Sequence, residues 1–167
     1  WRVGILPTPA IALYLLKTKT VCAFVLTASH NPSDQNGIKI FIGTTGLKLF
    51  PSNDEILSRR IFETDYDFVK KQEFLEASWE DHYKKAKSIY LDFLLRFENL
   101  WGSTSSFKDA VIVVDAANGA CSSIIHELFE KLSVGKVVFT NCDPSKEINI
   151  NCGVADLEGI FEVVPNS

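Results

Sequence analysis

The chain has 167 residues, of which 46% are apolar and 23% are charged, and its formal net charge is -4. This composition is typical of a folded globular protein and excludes a disordered chain. The basic residues form no run longer than a pair, so the sequence lacks the positive patch of a protein that binds nucleic acid.

Short apolar runs alternate with segments of helical period, which predicts an α/β fold built from βαβ units. The runs predicted as strands are "VGIL", "CAFVL", "IKIFI", "AVIVV" and "KVVF". A first helix is predicted at "TPAIALYLLK", with Thr8 as its cap and Pro9 at its first position. Ser52 followed by Glu55 forms a capping-box pattern and predicts a second helix.

The second half of the chain repeats the alternation of helix and strand. Ser78 with Asp81 predicts the start of a long amphipathic helix over residues 79–100, whose aromatic stripe we assign to the core. A Ser- and Gly-rich stretch follows, and a new βαβ unit begins with the strand at residues 110–115. We therefore predict two units, residues 1–76 and residues 77–167.

The cysteines show neither a Cys-x-x-Cys pair nor a histidine at metal-ligand spacing, which favours free thiols in the cytoplasm. No apolar stretch is long enough to span a bilayer, and the first residues lack a signal-peptide pattern, so we expect a soluble protein without a membrane partner. The sequence begins at Trp1 and contains no Met, which leads us to expect a piece of a longer protein.

One polar loop, within "VLTASHNPSDQNGIKIF", carries the candidate chemistry. It follows a predicted parallel strand, and the carboxyl ends of such strands are where α/β proteins usually bind ligands. Ser29 offers a hydroxyl nucleophile and His30 a proton carrier, although adjacent side chains often point apart. A serine hydrolase is poorly supported, because the sequence has no Gly-x-Ser-x-Gly elbow and no identifiable acidic partner.

A purely structural interpretation of the loop is also open. Ser29 and Asn31 would then only cap turns, and Asn36 with Gly37 would form an ordinary hairpin turn. Lys39 weighs against this interpretation, because it interrupts an apolar strand where an ammonium group needs a partner. A cation close to a nucleophilic serine indicates a phosphate or a developing negative charge.

The segment "TASHNPSDQNGIKIF" resembles the phosphoserine loop of the α-D-phosphohexomutases. "VGILPTPAIA" and "TTGLKL" resemble the segments on either side of that loop. "VIVVDAANGACSSIIHELFEKL" is similar to the opening of the family's second domain, and "EININCGVADLEG" resembles the segment that leads to its metal loop. Within the family, the sequence most resembles the phosphoglucosamine mutases, with the phosphoglucomutases and phosphomannomutases as open alternatives.

The resemblance implies that Ser29 carries a transferable phosphoryl group, with His30 and Lys39 as further active-site residues. The residues implied to shape the phosphate loop are Thr27, Asn31, Asn36 and Gly37. The implied substrate is a hexosamine or hexose phosphate, whose phosphoryl group moves between the 6- and 1-positions through a bisphosphate intermediate. The implied cofactor is Mg²⁺, bound by the phosphate on Ser29 and by aspartates of an Asp-Gly-Asp loop that this sequence does not contain.

The same resemblance specifies the fold class as three-layer βαβ units with a mixed, mostly parallel sheet, in two incomplete phosphohexomutase-type domains. Residues 1–76 would be the C-terminal part of domain 1, and residues 77–167 the N-terminal part of domain 2, ending before the metal loop. By itself such a fragment is expected to be inactive. The alternative is a non-catalytic α/β module that binds phosphate or a nucleotide through the same loop, and the oligomeric state stays open.

Overall fold

The computed structural model describes residues 1–65, 67, 78–97, 107–132 and 134–164. Within these ranges the elements follow in the order α1 (Thr8–Thr18), β1 (Cys22–Leu26), β2 (Ile38–Ile42), α2 (Pro51–Glu63), α3 (Tyr83–Arg96), β3 (Val111–Asp115), α4 (Ile125–Lys131), β4 (Lys136–Thr140) and α5 (Glu158–Val163). The predicted boundary between residues 76 and 77 lies outside the described residues.

The strands form two pairs of opposite type. β1 and β2 are antiparallel, with Leu26 opposite Ile38, whereas β3 and β4 are parallel, with Asp115 beside Thr140. The helix α4 joins the parallel pair, so this part of the chain is a βαβ unit. The predicted α/β class, with both kinds of pairing, is confirmed.

The prediction that the Ser29 loop follows a strand paired in parallel is wrong. The loop joins two antiparallel strands, because residues 27–37 connect β1 to β2 directly and without a helix. A parallel connection needs a crossover of about a dozen residues or more, usually containing a helix. The loop is therefore a long hairpin connection.

The run "VGIL" was predicted as a strand, but the described residues form no strand there. Gly4 breaks the extended run because its φ is +66°, and a Cβ at this position would lie 2.8 Å from the Tyr83 ring. One isolated bridge, between Arg2 and Asp81, brings this segment beside the residues that precede α3. The segment still contributes Leu6 to the core.

The helix α1 packs against α3 and also against β1, and the main core lies at these contacts. Its buried side chains are Leu6, Ala10, Ile11, Tyr14, Ala86, Tyr90, Leu91 and Ile124. The aromatic stripe predicted on α3 is therefore only partly in the core. Phe93 and Phe97 are 38% and 40% exposed, and they pack edge to face on each other at the end of the helix.

The predicted helices exist, but their starts differ from the capping patterns. α1 begins at Thr8 itself and α2 begins at Pro51, and neither has a side-chain cap. The third helix begins at Tyr83, because residues 80 and 82 exchange backbone hydrogen bonds with Arg2 and so lie before the helix. Asp81 accepts the Tyr83 backbone N–H at 2.8 Å, so the helix starts directly after this contact.

A cluster around His82 holds the first residues against α1. His82 Nε2 lies 2.8 Å from Glu80 Oε1, and His82 Nδ1 is hydrogen-bonded with the Tyr14 hydroxyl. The Trp1 ring stacks on the imidazole with centroids 4.4 Å apart. The hydrogen bond with His82 lowers the pKa of Glu80, while burial raises the pKa of Tyr14. His82 is thus a structural histidine in which each ring nitrogen has a partner.

An ion pair links α3 to α4, and its effect on stability should depend on pH. Lys87 Nζ lies 2.9 Å from Glu127 Oε2, and this hydrogen bond is the main cause of the lowered pKa of Glu127. Because the pKa of Glu127 is lower in the folded state, its ionised form stabilises the fold at any pH above the ordinary pKa of glutamate. This stabilisation is lost as the pH falls through the lowered pKa of the folded state.

We therefore expect Glu127→Gln to lower the melting temperature by about 1–2 °C at pH 7, because the pair is partly exposed and screened. The difference from wild type should shrink as the pH falls below about 4. Glu130→Gln is the matched control, since Glu130 lies on the same helix and makes no ion pair among the described residues. Melting curves at several pH values would contradict the prediction if both variants behaved alike.

No helix in the described part of the chain is both long enough and apolar enough to cross a membrane. The cysteines Cys22, Cys121, Cys142 and Cys152 are free thiols. Burial raises the pKa of the Cys121, Cys142 and Cys152 thiols, so all three are held in the protonated, weakly nucleophilic form at neutral pH.

Candidate functional site

The Ser29 loop is closed at its base by one backbone contact between its two ends. The Thr27 N–H donates to the Gly37 carbonyl at 2.8 Å and so extends the pairing of β1 with β2 by one step. A Cβ on Gly37 would lie only 3.2 Å from the Thr27 carbonyl oxygen, so glycine suits this close approach. Asn36 and Gly37 therefore form the base of the loop, and the prediction of a hairpin turn between them is wrong.

Ser29 lies in the left-handed region, with φ of +61°, and its side chain is exposed. Its N–H donates to the Thr27 hydroxyl at 3.1 Å, and the Asn31 N–H donates to the Ala28 carbonyl at 3.2 Å. For a residue with a Cβ this conformation costs about 1–2 kcal/mol, and strain of this kind is common where a side chain must be aimed. The turn therefore presents the Ser29 hydroxyl to solvent at a fixed place.

The second half of the loop is held by its own amides. The Asn31 side chain donates to Gln35 Oε1 at 2.8 Å, and Asn36 Oδ1 accepts the Gly37 N–H at 2.9 Å. The Gln35 N–H closes a turn on the Pro32 carbonyl at 3.0 Å. Thus Asn31 and Asn36, together with Thr27, fix the backbone of the loop.

His30 follows Ser29 on the same exposed turn. Among the described residues, its ring makes no hydrogen bond, and in particular none to the Ser29 hydroxyl. The structure therefore brings the two residues together in one turn without forming a Ser–His dyad. The imidazole is available to a ligand that approaches the serine.

Lys39 lies on the packed face of the β1–β2 pair. It is directly opposite Val25, which packs against the core, and it is two residues from the buried Phe41. The side chain is half-buried, and it forms no ion pair within the described ranges. Its ammonium group therefore has no counter-charge from the described residues and is able to meet an anion. Lys39 lies about 7 Å along the strand from Gly37, at the base of the loop.

Two residues that the sequence did not reveal hold the loop from the second half of the chain. The Asn149 side-chain amide donates to the Ser29 carbonyl at 3.1 Å and to the Asn31 carbonyl at 2.9 Å. The Ser33 hydroxyl donates to Glu147 Oε1 at 2.5 Å. In the sequence, the segment "EININCG" was noted only for its resemblance to a family segment. No local pattern indicated that it would lie against a loop 120 residues earlier.

Asp115 organises the region that supports this segment. Its carboxylate accepts the Ala117 N–H at 2.7 Å, the Asn141 amide at 3.2 Å and the Gly153 N–H at 3.1 Å. The first of these bonds caps the turn that follows β3. The other two bonds connect Asp115 to Asn141 in the loop after β4 and to Gly153 in the segment before α5.

A shallow cavity of about 330 Å³ adjoins the Ser29 loop. Its polar lining includes Ser33, Asn118, Lys146 and Glu147, but neither Ser29 nor Lys39. A larger cleft of about 690 Å³ between α3 and α4 contains no residue of the loop, so size alone does not mark the functional site. The exposed turn that carries Ser29 lies beside the smaller cavity.

Comparisons with known proteins include this loop in the matched part of the chain. Residues 1–67 match the family model described as phosphoglucomutase/phosphomannomutase, alpha/beta/alpha domain I. A phosphoglucosamine mutase of Caldicellulosiruptor saccharolyticus is 36% identical over 162 residues, covering 96% of this chain and 34% of the relative.

Two further relatives carry the same description. The phosphoglucosamine mutase of Syntrophomonas wolfei is 32% identical, covering 97% of this chain and 35% of the relative. The phosphoglucosamine mutase of Francisella philomiragia is 30% identical, covering 96% of this chain and 34% of the relative. The chain therefore spans about one third of the length of the curated relatives that it matches.

Proposed function

We propose that the protein carrying this chain is a phosphosugar mutase, because residues 1–67 match the family model described as phosphoglucomutase/phosphomannomutase, alpha/beta/alpha domain I. Ser29 would be its phosphoryl carrier. The substrate would be a hexosamine or hexose phosphate, and a hexosamine phosphate is the first candidate because the most similar relatives are named phosphoglucosamine mutases. The protein would act as an intramolecular phosphotransferase, that is, an isomerase.

The observation that carries this proposal is the placement of the Ser29 hydroxyl. It is exposed on a strained turn whose backbone is held by Thr27, by Ala28 with Asn31, and by Asn149. Phosphoryl transfer needs an accessible oxygen in a fixed position, because attack and departure must be in line. A loop that only capped turns would not need to expose and strain its serine.

The proposed reaction has two transfers of opposite direction. First, the bond between phosphorus and Ser29 Oγ breaks while the phosphorus bonds to a sugar hydroxyl, whose proton passes to a base. The resulting bisphosphate turns around, and the bond between its other phosphorus and the sugar oxygen breaks while that phosphorus bonds to Ser29 Oγ. The sugar oxygen takes the proton back from the base. The sugar phosphate leaves with its phosphate at the other position, and the enzyme is phosphorylated again.

His30 and Lys39 would serve the charges and protons of these steps. His30 lies next to Ser29 on the exposed turn, where it borders any phosphate on that residue. Lys39 is half-buried without an ion-pair partner in the described ranges, so its charge can stabilise the transferring phosphoryl group or assist proton transfer at the sugar. The residues that would shape the phosphate loop are Thr27, Asn31, Asn36 and Gly37.

Mg²⁺ is the cofactor implied for the full-length protein, with the phosphate on Ser29 as one ligand. Within the described ranges, no group of three or more His, Cys, Asp or Glu side chains is arranged to hold a metal ion. These residues therefore do not complete a magnesium site, and no step of the proposed reaction is routed through the metal.

We further propose that residues 1–76 belong to domain 1 and residues 77–167 to domain 2 of the same enzyme. The contacts from Asn149 and Glu147 to the Ser29 loop would then cross from the second domain to the first. A cytoplasmic location is proposed with it, since a sugar-phosphate mutase works where its phosphorylated substrates are kept.

The proposal is tested by the mass of the full-length gene product after incubation with a hexose 1,6-bisphosphate and Mg²⁺. We expect one added phosphoryl group, located by peptide mapping on Ser29 and not on Ser33, which serves as the internal control in the same loop. Reversible binding of the bisphosphate with no covalent phosphate would instead support the phosphate-binding module and overturn the mutase.

A further inference from the structure

We propose that Asn149 is a positioning residue for Ser29, acting as a clamp on the turn that presents the serine hydroxyl. The catalytic consequence rests on the proposed function, whereas the clamp itself rests on contacts within the fold. Asn149 does not need to touch a substrate for this role, because it acts through the backbone on either side of His30.

The clamp uses the whole donor capacity of one side chain. An asparagine amide has two N–H donors, and both are directed at the Ser29 loop, one to the Ser29 carbonyl at 3.1 Å and one to the Asn31 carbonyl at 2.9 Å. These carbonyls flank His30, so the amide spans the exposed part of the turn. A bidentate contact of this kind fixes the orientation of the peptide groups as well as their position.

Asn149 is itself held in place by the parallel strand unit. Its backbone is left-handed, with φ of +62°, and its N–H donates to the Ala117 carbonyl at 3.1 Å. Ala117 in turn follows Asp115 at the end of β3 and donates to its carboxylate. The clamp therefore connects the Ser29 turn to the end of a paired strand, which is one of the more rigid places in the fold.

The need for a clamp follows from the conformation of Ser29. Residues with a Cβ disfavour the left-handed region, so the turn tends to relax unless surrounding contacts hold it. Local contacts from Thr27 and Asn31 hold the turn on the side of the Ser29 N–H group. Among the described residues, Asn149 holds the Ser29 carbonyl group. Relaxation of this turn would move Oγ away from the line of attack.

The decisive variant is Asn149→Asp, with Asn151→Asp as its matched control. Aspartate keeps the shape of asparagine and its tolerance of positive φ, but at neutral pH it accepts hydrogen bonds and cannot donate them. Asn151 is also left-handed, with φ of +52°, and it is exposed and makes no side-chain hydrogen bond in the described part of the chain. Both variants add one negative charge, two residues apart.

Both variants are compared in the full-length gene product by two measurements. In Asn149→Asp we expect amide hydrogen exchange across residues 29–36 to become about tenfold faster or more, and kcat to fall by about tenfold with little change in KM. Asn151→Asp should match wild type in both. A merely structural role would alter exchange without this selective loss of kcat.

Unchanged exchange in Asn149→Asp would overturn the clamp, and faster exchange with an unchanged kcat would overturn its role in positioning Ser29. The proposed function fails by a different result. If the wild-type protein never carries phosphate on Ser29, while Asn149→Asp still speeds exchange across the loop, the mutase is refuted and the clamp is supported.

Discussion

Replacing Ser29 with glycine is expected to abolish phosphoryl transfer and at the same time to make the protein slightly more stable. The first effect follows because glycine has no oxygen to carry the phosphoryl group. The second follows because glycine adopts the φ of +61° without the cost of a Cβ. Removing the Cβ relieves about 1–2 kcal/mol of backbone strain. The greater freedom of glycine in the unfolded chain costs about 0.4–1 kcal/mol, so the free energy of unfolding should rise by about 0.5–1 kcal/mol.

Ser29→Ala separates the two effects. Alanine also lacks the hydroxyl but keeps the Cβ, so this variant should lose activity without gaining stability. Ser33→Ala, in which the altered hydroxyl contacts Glu147 and lies four positions away, should retain most of the activity. The measurements are kcat/KM for interconversion of the sugar phosphates, expected to fall by at least about a thousandfold at Ser29, and the urea midpoint.

Wild-type activity in Ser29→Ala would refute Ser29 as the carrier, whatever happened to stability. A lower urea midpoint in Ser29→Gly than in Ser29→Ala would instead refute strain at this position. The combination of lost activity with gained stability is the behaviour expected of a residue whose conformation serves catalysis rather than folding.

The sequence predicted the strands better than it predicted the ends of the helices. The bounds of Cys22–Leu26, Ile38–Ile42 and Lys136–Thr140 agree with the apolar runs, because β-branched and aromatic residues between polar boundaries have few other places to pack. The exception is "VGIL", where the left-handed Gly4 against Tyr83 overrides the local pattern. Tertiary contact, which no window of sequence contains, also delays the start of α3.

The Ser29 loop was recognisable from its residues, whereas its support was not. A motif is local, but the clamp joins Asn149 to residues about 120 positions earlier. One signal was present and unused: left-handed backbone favours asparagine, and Asn141, Asn149 and Asn151 all have positive φ. Such a cluster predicts tight, irregular loops that need an organising acceptor, and Asp115 is that acceptor.

Asp115→Ala should therefore be among the most destabilising changes outside the apolar core, lowering the free energy of unfolding by about 3 kcal/mol. Two backbone N–H groups and the Asn141 amide would lose an acceptor in a half-buried place. Hydrogen bonds to a charged group contribute about 1.5–3 kcal/mol each, and entry of water recovers part of that loss.

The matched control is Asp156→Ala, because Asp156 accepts one side-chain hydrogen bond from the part of the chain that the structure describes, the Glu158 N–H at 3.1 Å. That change removes one helix-capping contact and should cost about 1 kcal/mol. Asp115→Asn should fall between the two, since it keeps one oxygen but turns an N–H group toward the remaining donors. Urea unfolding with unchanged m-values measures all three.

The order of these three variants separates a central acceptor from an ordinary turn cap. If Asp115 serves only its own turn, Asp115→Ala will cost no more than Asp156→Ala, and exchange across residues 29–36 will not change. If it organises the loops that carry Asn149, the loss of stability will be accompanied by faster exchange in the Ser29 loop. This second outcome is expected, because Asn149 depends on the Ala117 carbonyl, and the Asp115 carboxylate holds the turn that contains Ala117.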